Sequence, residues 1–122
     1  SSAMVFGCTS STDPVVPTAA IQPGTHVGLV GSYSTARREV APDLLARATV
    51  FVDDRGAAAD EAGDLILAAR SGSWSFDTVA GDLAELCLET AGRTSDDEIT
   101  LFKSVGLAVW DLIVADTVVC NS

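Results

Sequence analysis

A chain of 122 residues has the length of one domain, long enough to bury a core but not to hold two. Hydrophobic residues make up 48% and charged residues 20%, which argues against disorder. The net charge of −10, with seven scattered basic residues, argues against a nucleic-acid partner, and no run reaches the roughly 18 apolar residues of a membrane span.

Residues 4–8 form a short continuous apolar run, the pattern of a strand buried on both faces of a parallel sheet. The polar loop Thr9-Ser10-Ser11-Thr12 follows at its carboxyl end. Pro23-Gly24 marks a turn, and residues 26–30 read as a second strand closed by Gly31-Ser32. Residues 42–48 suit a short helix with proline in its first turn, and 49–52 suit a third strand stopped by Asp53-Asp54. Residues 57–70 and 76–90 are expected as helices, each followed closely by glycine. Ser95 and Glu98 have capping-box spacing, with Asp96 and Asp97 placing negative charge on a helix N-terminus. A closing helix over residues 96–118 is therefore expected. Its segment 105–115 is apolar nearly all round, the mark of a helix buried on every side.

Three strands alternating with helices imply an α/β fold with a parallel sheet, about half of a doubly wound, Rossmann-like domain. Ligands bind such sheets at the carboxyl ends of strands, which singles out Thr9-Ser10-Ser11 and Val30-Gly31-Ser32. Both are also ordinary strand–loop junctions. The fingerprint G-x-G-x-x-G is absent, so the usual pyrophosphate anchor of a dinucleotide is missing.

His26 is either a structural histidine at the start of a strand or a catalytic one. Asp53-Asp54 either ends a strand and caps a helix or takes part in acid/base work. Cys8, Cys87 and Cys120 show no C-x-x-C spacing, which suits a reducing, cytoplasmic setting; Cys8 and Cys87 are expected in the core. Trp74 and Trp110 are expected to pack, and no metal site is indicated.

Several segments, in order, resemble the ornithine cyclodeaminase/μ-crystallin family. They are Thr9-Ser10-Ser11-Thr12, residues 23–32, Arg38-Glu39-Val40, residues 42–55, Glu61-Ala62-Gly63-Asp64-Leu65 and residues 92–106. The resemblance implies that the chain is a single partial dinucleotide-binding domain over residues 1–122. Residues 96–118 would return to a dimerisation and substrate domain that this sequence does not contain. It also implies NAD or NADP in the parent enzyme, with Thr9, Val30, Gly31, Ser32, Arg37 and Ser104 at positions that face the dinucleotide. The glycine fingerprint, the acidic ribose ligand and the substrate-binding arginine and lysine would lie in the part not present.

Where the cyclodeaminases of the family carry an aspartate, this sequence has Tyr33, and Arg37 replaces a lysine. That pattern is similar to the family's reductases and dehydrogenases. The first expectation is a fragment of an NAD(P)-dependent reductase that moves a hydride to or from a cyclic imine or amino acid, inactive and cofactor-free on its own. The others are a non-catalytic module that self-associates as a dimer through its C-terminal helix, an ornithine cyclodeaminase fragment, and a small intact enzyme using Asp53, Asp54 or His26.

Overall fold

The computed structural model describes residues 3–122. Five parallel strands form one sheet: β1 (Met4–Gly7), β2 (His26–Leu29), β3 (Thr49–Val52), β4 (Gly81–Asp82) and β5 (Thr100–Lys103). Their order across the sheet is β1-β2-β5-β3-β4. The α/β, Rossmann-like class stands, with two strands more than the sequence patterns indicated.

Five helices accompany the sheet: α1 (Pro42–Arg47), α2 (Arg55–Glu61), α3 (Gly63–Arg70), α4 (Leu83–Cys87) and α5 (Ala108–Cys120). Pro42 opens α1, where a missing N–H costs nothing. The Asp54 carboxylate caps α2 by accepting from the Ala57 amide at 2.8 Å. The helix expected over 57–70 breaks at Ala62 into α2 and α3. The break lets Gly63 sit against the Ser34 and Arg37 carbonyls, where a Cβ would overlap backbone. The segment expected as a helix over 76–90 instead holds a short 3-10 turn (Phe76–Thr78), β4 and α4.

The largest correction concerns residues 96–118. The first part of that stretch is β5, the central strand, paired with β2 on one side and β3 on the other. Ile99-Thr100-Leu101-Phe102 is rich in β-branched and aromatic residues, and in the centre of a parallel sheet such a run is covered on both faces and loses its alternation. The Ser95–Glu98 pair makes a turn rather than a capping box: the Glu98 amide donates to the Ser95 carbonyl at 3.3 Å, and the Glu98 carboxylate accepts from the Thr94 amide at 2.7 Å. The true capping box is Asp82–Glu85, at the start of α4.

One face of the sheet carries the core. Val27, Leu29, Val50, Val52 and Leu101 are buried there with Leu44, Leu45, Ala58, Ala62 and Leu65 of the helices. Trp74 packs against this core and meets Phe76 edge-on at 5.2 Å between ring centres. The opposite face is bare over β1, where Met4 is 72% and Phe6 65% exposed. The helix α5 has no buried residue. Cys8, Cys87 and Cys120 are all exposed free thiols, so Cys8 and Cys87 are not core residues. Cys8 lies one residue beyond the strand, and Cys87 lies on the outer side of a helix only five residues long.

Candidate functional site

Because every strand runs the same way, the segments after β1, β2, β3 and β5 emerge on one edge of the sheet. They carry Thr9, Val30 to Ser32, Asp53 and Ser104. Three buried carboxylates hold these segments together. Glu39, fully buried, accepts from the Thr9 amide at 2.6 Å and from the Gly31 amide at 2.9 Å, and so bridges the ends of β1 and β2. Asp64, on α3, accepts from the Ser32 hydroxyl and from the Glu39 and Val40 amides at 2.6 and 2.9 Å. Asp53 Oδ2 accepts from the Ser104 hydroxyl at 2.9 Å and from the Val105 and Gly106 amides at 2.8 and 3.0 Å.

Lys103 stands among them, entirely buried, with Nζ 3.8 Å from Asp64 Oδ2. That is an ion-pair distance, too long for a hydrogen bond, and among the described residues Nζ has no hydrogen-bond partner. Burial pushes the ammonium below the ordinary lysine range, while the charges of Asp64, Glu39 and Asp53 pull the other way.

Of the six positions singled out from sequence, Thr9, Gly31, Ser32 and Ser104 are each hydrogen-bonded to one of these carboxylates. Val30 is exposed at the end of β2. Arg37 lies in the neighbouring loop with its guanidinium 4.8 Å over the Tyr33 ring, and its Nη1 is buried without a partner among the described residues. Gly31 is a close-approach site, since a Cβ would run into the Thr9 carbonyl and the Glu39 carboxylate. The Gly31→Ala variant is expected to lose about 1–3 kcal/mol of stability in urea titrations by forcing the two loops apart. An unchanged midpoint would mean that the loops are not tightly apposed.

His26 lies at the other end of its strand. It shares a hydrogen bond with Thr100 Oγ1 at 2.9 Å, and burial and the charge of Arg93 lower its pKa. A cavity of about 280 Å³ opens beside it, lined by His26, Phe51, Leu86, Arg93 and Phe102. Asp54 is occupied as a helix cap and Asp53 as a loop anchor, so neither is a free acid/base group in this arrangement.

Sequence reading did not single out Glu39, Asp64 or Lys103 as members of one site. Asp64 did carry a signal, as a carboxylate beside Leu65 and Ile66 on the apolar side of a helix. Lys103 carried another, as the one charge within a run of apolar residues.

Residues 2–121 match the profile of the ornithine cyclodeaminase/mu-crystallin family. The chain belongs to this family. It is 41% identical over 113 residues to a Delta(1)-pyrroline-2-carboxylate reductase of Paracoccus denitrificans, covering 92% of this chain and 36% of that protein. The structure of Thermococcus litoralis Delta(1)-pyrroline-2-carboxylate reductase with NADH and L-proline superposes with a TM-score of 0.88 at 33% identity, covering 93% of this chain and 35% of that one. An archaeal alanine dehydrogenase dimer with bound NAD superposes at 0.86 and 32% identity, covering 93% and 35% respectively. The chain thus spans about a third of the length of the family members it matches. No helix among the described residues is long and apolar enough to cross a membrane.

Proposed function

We propose that this chain forms the nicotinamide-facing part of an NAD(P)-dependent reductase whose parent moves a hydride to or from a cyclic imine or an amino acid. The observation that carries this reading is the convergence of Thr9, Gly31, Ser32 and Ser104 on one sheet edge, each held by a buried carboxylate. A bound dinucleotide would supply the hydride for reduction or accept it in the reverse direction. The chain's part is to close the loops after β1 and β2 tightly on each other at Gly31, to fix the hydroxyls of Ser32 and Ser104, and to keep water out beneath them.

The fit is to the nicotinamide end alone. The unpartnered Nη1 of Arg37 is a donor for a carbonyl or phosphate oxygen. Nothing here replaces the glycine fingerprint that holds a pyrophosphate, so the chain by itself is expected to turn over no substrate. Tyr33, half exposed beneath Arg37, offers no carboxylate for ornithine cyclisation and favours reductase over lyase. The exposed α5 supports a homodimer formed through that helix, and three free thiols suit the cytoplasm.

A chimera tests the reading. With residues 4–120 of this chain replacing the matched segment of the Paracoccus denitrificans reductase, the hybrid is expected to oxidise NADH or NADPH with Delta(1)-pyrroline-2-carboxylate. A folded hybrid that binds neither dinucleotide would overturn it.

A further inference from the structure

The three carboxylates that anchor the loops share one counter-ion. Glu39 comes from the segment before α1, Asp64 from α3 and Asp53 from the end of β3. These are the charged groups that face Lys103 Nζ. The amides held across the loops are Thr9 and Gly31 by Glu39, Glu39 and Val40 by Asp64, and Val105 and Gly106 by Asp53, which also accepts from the adjacent Asp54 amide. None of the three is more than 5% exposed, so water cannot screen the repulsion among them. A single buried ammonium offsets it, and that ammonium has no other partner among the described residues.

We infer that Lys103 is a positioning residue: its charge holds Glu39, Asp64 and Asp53 in register and so sets the spacing of the loops after β1, β2 and β5. That those loops face a dinucleotide rests on the functional reading above; the coupling of the loops to Lys103 does not. Lys103 touches no loop atom by hydrogen bond and acts only through the carboxylates. A packing role for its methylene stem would be served equally by methionine. A charge role would not.

The test is an NMR titration of the 122-residue chain, following the side-chain ¹⁵Nζ of Lys103 and the six amides held across the loops. As the pH is raised through the ionisation of Lys103, the amide resonances are expected to move together, with the midpoint of ¹⁵Nζ. In K103R, which keeps a cation, they should hold still over the same range. In K103M, their hydrogen-exchange protection should fall at neutral pH while that of Val27 and Val50 in the sheet persists. Amides that ignore the ¹⁵Nζ midpoint, or that stay equally protected in K103M, would overturn the inference. If K103M does not fold, the titration of the unsubstituted chain decides it.

A second arm uses the chimera. There K103M should weaken NADH binding roughly tenfold to a hundredfold, with recovery in K103R. Should the unsubstituted chimera fail to bind NADH, the functional reading falls, and the titration of the chain still decides the role of Lys103.

Discussion

The Asp64→Ala variant is expected to lose about 3–5 kcal/mol of stability, the largest effect of any single substitution considered for this chain. Asp64 is 2% exposed and accepts from the Ser32 hydroxyl and two buried amides while facing the Lys103 ammonium. Truncation strands all four partners in an environment that water does not reach, and the ammonium most of all. A domain of this size is stabilised by about 5–15 kcal/mol in total, so the loss is a large share of the whole. Equilibrium urea unfolding, followed by the fluorescence of Trp74 against the core, measures it. Asp64→Asn keeps one acceptor oxygen but loses the charge, and it should fall between alanine and the parent. If alanine and asparagine both unfold at the parent's midpoint, Asp64 does not organise the loops.

The buried network was less legible than the fold, and the reason is physical. The strands β1, β2 and β3 announce themselves as short apolar runs ended by polar loops, since a parallel sheet buries both faces of its strands. The central strand β5 has the same character, but Ser95-Asp96-Asp97-Glu98 directly precedes it and has the chemistry of a helix start. In the fold Glu98 turns instead to Thr94 and Thr49, and sheet pairing overrides the local signal. The two residues of β4 are too few to show any period.

The site residues split in the same way. Thr9, Gly31 and Ser32 lie next to legible strand ends and can be placed by that rule alone, whereas Ser104 follows β5, which reads as helix in the sequence, and comes only from the family resemblance. The groups that hold them, Glu39, Asp64 and Lys103, come from a loop, a helix and a strand. No spacing along the chain links them, and only the crossover of β5 between β2 and β3 brings them together.

The second large effect is expected at α5. The helix is 13 residues long, close to the length at which an isolated helix is marginal in water. It has no side-chain cap at its N-terminus and no buried face. Leu112, Ile113, Val114, Val118 and Val119 are each more than half exposed, and a groove of about 340 Å³ runs between Leu83, Trp110, Ile113 and Val114. A helix of this kind needs cover to stay folded, because its stability comes from packing rather than from its own hydrogen bonds. Under the proposed dimer, a second copy of the isolated chain would supply that cover by burying about 800 Å² per partner. Association and helicity should therefore be one event. Light scattering is expected to report a dimer that dissociates on dilution, with the far-ultraviolet helix signal falling over the same range. Ile113→Glu places a carboxylate in the groove, three residues before Asp116 on the same helix face, in a chain already carrying −10. It should give a monomer with α5 melted and the sheet intact, as shown by retained amide protection in β2, β3 and β5. A chain that stays monomeric at high concentration while α5 remains helical would show that the helix is stable without a partner, and the dimer would have to be abandoned.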